Sequence, residues 1–187
     1  MKKLGLLLAA VLLFTVTPLF AQEHVDVGVY ADYVNLNRID QSFWGVGARA
    51  GVGIAPHVTL EADMAYDFAK SFTGTDSFGF TDTGSMHLWH GTFGPKIYAD
   101  MGPIRVFAVL KGGFINFAGG LGNSFGAFTG QLSTFNSSST DAVFYPGAGF
   151  EIHKGWIGFR AEAGDLMYFD NGPNHNISVR VGPEFTF

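Results

Sequence analysis

The sequence contains no cysteine, and it has no apolar segment long enough to cross a bilayer as a helix. The absence of cysteine excludes disulfides, thiolate metal sites and the lipid-modified cysteine of a lipoprotein. The uncharged apolar run near the N-terminus extends from Leu4 to about Phe14, whereas a transmembrane helix needs roughly 20 such residues. Basic residues are also few, with 11 Lys and Arg against 16 Asp and Glu, which argues against a nucleic-acid partner.

The N-terminus has the pattern of a secretory signal peptide. Lys2 and Lys3 precede the apolar run, and Ala21 offers a small residue for cleavage, although the residue two positions earlier is larger than usual and leaves the cleavage site open. We therefore expect an exported protein with a signal peptide at residues 1–21 and one domain at residues 22–187. Loss of the two lysines leaves nine basic and 16 acidic residues, a formal charge of −7.

Glycine and phenylalanine are abundant, with 26 and 20 residues, and no long helical period is present. Apolar and polar residues instead alternate in eight segments of about 8–11 residues, close to the length of a tilted strand that crosses an outer membrane. This pattern predicts an all-β fold, an eight-stranded antiparallel up-and-down transmembrane β-barrel. The segments are residues 25–33, 44–54, 58–68, 89–98, 104–111, 142–152, 157–164 and 177–187.

The connections between these segments alternate in length. Short turns follow the second, fourth and sixth segments, and longer connections follow the first, third, fifth and seventh. Short periplasmic turns and long external loops are typical of outer-membrane barrels. The longer connections are residues 36–42, 69–86, 114–140 and 169–176.

The two faces of the predicted strands differ in charge. One face is apolar and carries no charged residue, whereas the other is rich in glycine and holds acids and bases in nearly equal numbers. A closed eight-stranded barrel has a narrow interior that small side chains suit, and one Lys or Arg at the bilayer midplane costs about 2–4 kcal/mol. We therefore expect the charged face inside. A soluble lipocalin-like barrel would have the opposite arrangement.

The inward charges are predicted to form a network of salt bridges that plugs the lumen. Removing one partner of such a buried pair typically costs about 3–5 kcal/mol. A gated ion path, in which the pairs switch partners, is the other interpretation of the same residues. The predicted network consists of Arg49, Glu61, Asp63, Lys96, Arg105, Lys111, Glu151, Arg160, Glu162, Arg180 and Glu184.

The chain ends with an alternating segment that stops on an aromatic residue. Val181, Phe185 and Phe187 have the pattern of the C-terminal insertion signal of outer-membrane barrels. With its eight segments and charged lumen, the chain resembles the small outer-membrane β-barrel family typified by the transmembrane domain of outer-membrane protein A and by OmpX. The resemblance implies residence in the outer membrane of a Gram-negative cell envelope, contact with its lipid and lipopolysaccharide, and insertion by the barrel-assembly machinery.

The third long connection is the most distinctive segment outside the strands. Residues 112–140 contain no charged side chain but several phenylalanines, among them Phe117, Phe125, Phe128 and Phe135. Exposed aromatic patches tend to mark binding sites. We therefore expect these four residues to form a surface-binding loop for an external ligand.

Histidines are the remaining candidates for chemistry. His87 and His90 are three residues apart on a strand and so point to opposite faces, which excludes a shared metal ion and favours solvated loop residues. His175 lies close to Ser178, but the spacing does not match the motif of the lipid A deacylases. We therefore predict no cofactor, no metal and no catalytic residues. The expected role is structural or interactive, in adhesion or membrane integrity, with a narrow porin-like channel for ions or small solutes and, behind it, a lipid A-modifying enzyme as alternatives.

Overall fold

The computed structural model describes residues 24–75, 81–120, 139–170 and 172–187, and these ranges consist of β-strands joined by turns. No helix in these ranges is long and apolar enough to cross a membrane. The strands are β1 Val25–Leu36, β2 Gln41–Ala55, β3 Val58–Thr75, β4 Thr81–Met101, β5 Ile104–Gly120, β6 Ser139–Lys154, β7 Ile157–Asp165, β8 Met167–Phe169, β9 Pro173–Asn174 and β10 Asn176–Thr186.

The eight long strands form one closed antiparallel barrel. Each pairs with its neighbours in the order β5-β4-β3-β2-β1-β10-β7-β6, and a further pairing of β5 with β6 closes the ring. The short strands β8 and β9 extend the sheet beyond the end of β7. The predicted eight-stranded antiparallel barrel is therefore confirmed.

The three tight turns lie where the alternation predicts them. Two residues separate β2 from β3, β4 from β5, and β6 from β7. His57, Gly102 and Gly155 adopt positive φ angles of 64°, 71° and 68° at these turns. Glycine adopts this backbone conformation without strain. For His57 the positive φ is unfavourable, so the hairpin turn must impose it.

The hairpin of β3 and β4 extends much further than the sequence indicates. Residues 69–86 are predicted to be a connection, yet the two strands continue to pair until Thr75 lies opposite Thr81. The register shifts once, between Asp67 and Lys70, and then resumes. The expectation of a long loop here was therefore wrong. Beyond residue 68 the alternation of apolar and polar side chains fades, but the two strands still pair because each satisfies the backbone hydrogen bonds of the other.

The next hairpin also extends beyond its predicted end. Pairing between β5 and β6 continues until Phe117 lies opposite Ser139. The connection predicted at residues 114–140 is therefore strand at both of its ends. Its remaining residues, including Phe125 and Phe128, fall outside the described ranges.

The barrel is inverted relative to a soluble protein. Large apolar side chains are exposed on its outer surface, while carboxylates and basic side chains are buried inside. Along β1, exposed valines alternate with buried Asp26, Tyr30 and Asp32. This pattern is the reverse of a lipocalin-like barrel. The exposed apolar residues include Val25, Val27, Val29, Trp44, Val46, Met64, Tyr66, Phe68, Trp89, Phe93, Ile97, Leu110, Phe144, Phe150, Phe159 and Ile177.

A hydrophobic core occupies the other end of the lumen, towards the long connections. Most of its members come from the ends of the strands that lie farthest from the tight turns, whereas Phe107 and Val109 lie near the start of β5, where Phe107 contacts Arg160 of the ionic layer. The core contains Val34, Leu36, Phe43, Met86, Leu88, Phe107, Val109, Ile115, Phe117, Val143, Tyr145, Leu166 and Tyr168. The lumen therefore has an ionic layer and, beyond it, an apolar layer.

Candidate functional site

The candidate site is the interior of the barrel, and the carboxylate of Glu61 lies at its centre. Both carboxylate oxygens accept hydrogen bonds from Arg160, with Nη1–Oε1 and Nη2–Oε2 distances of 2.6 and 3.0 Å. Lys111 Nζ lies 2.8 Å from Oε2, and Lys96 Nζ lies 2.9 Å from Oε1. Because all four side chains are buried, the three bases stabilise the carboxylate with little screening by bulk water.

Asp63 is the second junction of the ionic layer. Arg49 Nε lies 3.3 Å from its Oδ1, and Arg180 Nη1 lies 3.4 Å from its Oδ2. The same two guanidinium groups approach Glu162, at 3.7 Å from Arg49 and 3.6 Å from Arg180. Each arginine thus bridges two carboxylates that come from different strands.

Glu151 connects the centre of the network to the rim at the tight turns. Its carboxylate lies 2.8 Å from Lys96 Nζ, 3.1 Å from Arg160 Nη1 and 3.5 Å from Arg105 Nη1. Glu184 joins the network through Arg160 at 3.4 Å. The structure therefore places all eleven charged residues that the sequence singles out in one connected set of ion pairs.

Aromatic rings fill the space that the ion pairs leave. They lie against the guanidinium groups, where a cation above a ring face is attracted by the ring's electron density. These rings were not predicted to be part of the site, although the alternation places them on the inward face. The pairs are Arg160 over Phe107 at 4.0 Å, Arg180 over Tyr145 at 4.3 Å and Arg49 over Tyr30 at 4.8 Å.

His90 lies inside the barrel, and the expectation of a solvated loop histidine was wrong. It is 1% exposed, and its Nε2 lies 2.7 Å from Asp32 Oδ2 and 3.5 Å from Asp67 Oδ2. The predicted strand at residues 89–98 already includes His90, and because β4 begins at Thr81 the residue lies well within the sheet. His87 packs beside the ring of Tyr66 at 5.5 Å, so the two histidines do lie apart, as their spacing predicts.

The apolar layer includes a residue that was expected at the surface. Phe117 is 2% exposed and makes an edge contact with Tyr168 at 5.2 Å. It therefore belongs to the interior of the barrel and contributes nothing to an exposed loop. The other three predicted loop phenylalanines, Phe125, Phe128 and Phe135, lie outside the described residues.

The end of the barrel beyond the apolar layer is held together by polar contacts between its first and last connections. Arg38 Nη1 donates a hydrogen bond of 2.6 Å to Asp170, and this bond raises the pKa of the Arg38 guanidinium. Asn37 Nδ2 donates to the backbone oxygen of His175 at 2.6 Å. The imidazole of His175 pairs with Asp165, while Ser178 is buried in the interior. These two residues do not form a nucleophile–base pair.

Three solved structures resemble the barrel described above. The attachment invasion locus protein Ail of Yersinia pestis, in complex with the heparin analogue sucrose octasulfate, matches with a TM-score of 0.55 and 14% identity over 88% of this chain and 97% of that one. Neisserial surface protein A matches with a TM-score of 0.61 and 11% identity over the same shares. The N-terminal β-barrel domain of OprF from Pseudomonas aeruginosa matches with a TM-score of 0.53 and 11% identity, again over 88% and 97%.

This chain has the fold of the small outer-membrane β-barrels. The resemblance stated from the sequence is thus confirmed for the fold. No family model and no curated protein matches the sequence, and at 11–14% identity the three structures carry information about the fold alone.

The last strand of this outer-membrane barrel fold closes the ring against the first. Val25 and Phe187 exchange backbone hydrogen bonds of 3.1 and 2.9 Å. Val181 lies opposite Ala31 on β1, and Phe185 stacks on Trp156 at 5.7 Å. Two residues of the predicted insertion signal, Val181 and Phe185, therefore lie on the strand that completes the barrel, and Phe187 directly follows it.

Proposed function

We propose that this chain is an outer-membrane protein with a structural and surface-interaction role, and that its lumen is closed to solutes. The observation that carries the proposal is the inverted distribution of side chains. A belt of valine, isoleucine, methionine and aromatic residues is exposed, while eight carboxylates and five basic side chains are buried. Hydrocarbon solvates such a surface, whereas water does not.

The two layers of the lumen support a plug rather than a channel. An eight-stranded barrel has an interior that side chains can fill. Lys96, Glu151 and Arg180 in the ionic layer are fully buried, as are Leu36 and Leu88 in the apolar layer. A narrow porin-like channel would need polar, water-accessible walls along its whole length, so the apolar layer argues against it. The role is therefore not transport, and nothing in the His175 region favours lipid A chemistry.

The end of the barrel beyond the apolar layer is its outer end. Its charges favour binding of a surface ligand that differs from the one bound to Ail. That protein is in complex with a sulfated heparin analogue, and a polyanion is bound by clustered basic side chains. Acids outnumber bases at this end of the described chain, so we infer a ligand that is not a polyanion. The acids are Asp40, Asp141, Asp165 and Asp170, and the bases are Arg38 and Lys70.

The remaining parts of the proposal concern biogenesis and surroundings. We propose that residues 1–21 direct export, and that Val181, Phe185 and Phe187 are recognised by the barrel-assembly machinery. In the membrane, the exposed apolar belt contacts outer-membrane lipid and lipopolysaccharide. The terminal strand supports this assignment because it must pair with β1 before the barrel is closed.

Liposome flux tests the closed lumen. The purified chain is folded into liposomes that enclose a small fluorescent dye and a potassium gradient, and folding is verified by heat-modifiable migration on a denaturing gel. We expect liposomes with the folded chain to retain both solutes as well as empty liposomes do. Steady ion currents in planar bilayers, or release of either solute in proportion to the amount of folded protein, would contradict a plug.

A triple variant tests the surface role. Replacement of Phe125, Phe128 and Phe135 by serine is expected to abolish binding of bacteria that display the chain to host cells or matrix, with unchanged heat-modifiable migration. Binding that persists in the triple variant would show that these three phenylalanines do not form the binding surface. A matched control replaces serines of the same segment by alanine, which leaves the phenylalanines in place. The control serines are Ser124, Ser133 and Ser137.

A further inference from the structure

Three potential metal ligands meet inside the barrel. Their side chains make few ion pairs with the Lys and Arg residues of the ionic layer. Asp32 on β1, Asp67 on β3 and His90 on β4 are each no more than 1% exposed. One ligand atom from each lies within 4.8 Å of the other two. Both carboxylates approach the same imidazole nitrogen, Nε2, at 2.7 and 3.5 Å. The three side chains therefore converge on one point.

The Asp67 carboxylate is the least compensated of the buried acids. In the described part of the chain, each of the other seven has a Lys or Arg nitrogen within 4.0 Å, whereas Asp67 has only the imidazole of His90. Neither of its oxygens has a hydrogen bond, although the side chain is fully buried. An ionised carboxylate in that state is costly unless a cation accompanies it.

The backbone around these side chains leaves space for them. Gly45 lies opposite Asp32 on one side and opposite Asp67 on the other. A Cβ atom at position 45 would overlap the Asp67 carboxylate and the backbone of Tyr66 and Asp67. Glycine at position 45 therefore leaves room for the Asp67 carboxylate beside the strand that carries Asp32.

The charge of the whole lumen also favours a bound cation. Eight buried carboxylates face five buried basic side chains, and Arg105 at the rim adds a sixth base through Glu151. The difference is a formal charge of −2 when His90 is neutral. A divalent cation at the Asp67 carboxylate balances this charge at the one buried acid of the described chain that has no Lys or Arg nitrogen within 4.0 Å.

We propose that Asp32, Asp67 and His90 bind one divalent first-row transition-metal ion of the Zn²⁺ type. Imidazole nitrogen and carboxylate oxygen are established zinc ligands, with bond lengths of about 2.0–2.2 Å. Three protein ligands leave a fourth position for a water molecule, as in other zinc sites with three protein ligands. Nε2 is the coordinating nitrogen because both carboxylates face it. The ion ties β1, β3 and β4 together beneath the apolar layer.

Metal analysis of the folded barrel tests this proposal. The chain is folded in detergent with Zn²⁺, passed through a desalting column, and analysed for metal by mass spectrometry. We expect about one zinc ion per folded wild-type barrel. The variants Asp67→Asn and His90→Gln should each weaken zinc binding by about 10-fold or more. His87→Gln is the matched control, because it removes a histidine of the same strand that lies on the other face, and it should keep the ion.

X-ray absorption at the zinc edge provides a readout that does not depend on the folding of any variant. The wild-type spectrum should show oxygen and nitrogen ligands with the multiple scattering of one imidazole. Folded wild-type barrel that emerges from the column without metal would overturn the proposal and leave His90 as an imidazolium between two carboxylates. Equal zinc contents in folded wild type and folded His90→Gln would overturn it as well.

Discussion

Arg160 and Glu61 meet across the full width of the barrel. Arg160 belongs to β7 and Glu61 to β3, which lie four strands apart in the ring of eight. Two hydrogen bonds of 2.6 and 3.0 Å join the guanidinium to the carboxylate in a bidentate pair. Since the residues are 99 positions apart in sequence, the pair forms only when the sheet has curled far enough to bring opposite walls together.

We predict that Glu61→Gln lowers the free energy of unfolding by about 3–5 kcal/mol. The amide keeps the volume of the side chain but removes the charge that Arg160, Lys96 and Lys111 share, so three buried cations lose their common partner. Urea unfolding in lipid vesicles, followed by tryptophan fluorescence, measures the change.

The control for this prediction is an ion pair at the rim. Asp100→Asn removes a partner of Arg105 that is half exposed, and such surface pairs are worth about 0–1 kcal/mol. If the two variants lose the same free energy of unfolding, the Glu61 carboxylate is not in a desolvated network.

The membrane-facing belt can be tested with two methionines. Met64 and Met101 are similarly exposed, at 53% and 64%, but Met64 lies six residues beyond the start of β3 while Met101 adjoins a tight turn. Met64→Arg should cost about 2–4 kcal/mol at the bilayer midplane, and Met101→Arg about 0–1 kcal/mol near the interface. Unfolding in vesicles measures both. A soluble barrel would tolerate the two substitutions equally, since both side chains would then face water.

Much of this fold follows from residue alternation alone. The positions of Glu61, Arg160 and the three tight turns follow from a period of two and from turn residues, because each strand has one face towards lipid and one inside. Alternation assigns a residue to a face but does not indicate how the character of the lumen changes along the barrel axis. That is why Leu88 and Phe117, which face inwards at the outer end, were not expected in the interior.

The site around His90 was missed for a related reason. Its partners Asp32 and Asp67 come from two other strands, and the predicted segment 89–98 begins next to His90, so the histidine was expected in a loop although its position in the alternation faces inwards. Strand ends are set by continued backbone pairing and by a single register shift, neither of which leaves a clear mark in the order of side chains. The ion pairs of the centre, by contrast, lie where the alternation is strongest.

The apolar layer predicts an effect at Phe117. Phe117→Ala should lower the free energy of unfolding by about 3–5 kcal/mol, because it removes a large buried side chain that packs on Tyr168. Urea unfolding of the refolded barrel measures the loss. Phe125→Ala, in the segment that the sequence predicts to be exposed, should change the free energy by less than about 0.5 kcal/mol. A similar small change in Phe117→Ala would show that the layer does not hold the strands together.

The closing seam between β1 and β10 has little room at one glycine. A Cβ atom at Gly182 would overlap the backbone oxygen of Val29, so Gly182→Ala forces the two strands apart. Overpacking of this kind costs about 1–3 kcal/mol. We expect a lower melting temperature and slower appearance of the folded band on an unheated gel. Gly112→Ala is the matched control, because its Cβ would meet only the backbone oxygen of Val143 at 3.9 Å. Equal behaviour of the two alanine variants would mean that the seam relaxes freely and that closure of the barrel does not depend on a bare backbone at this point.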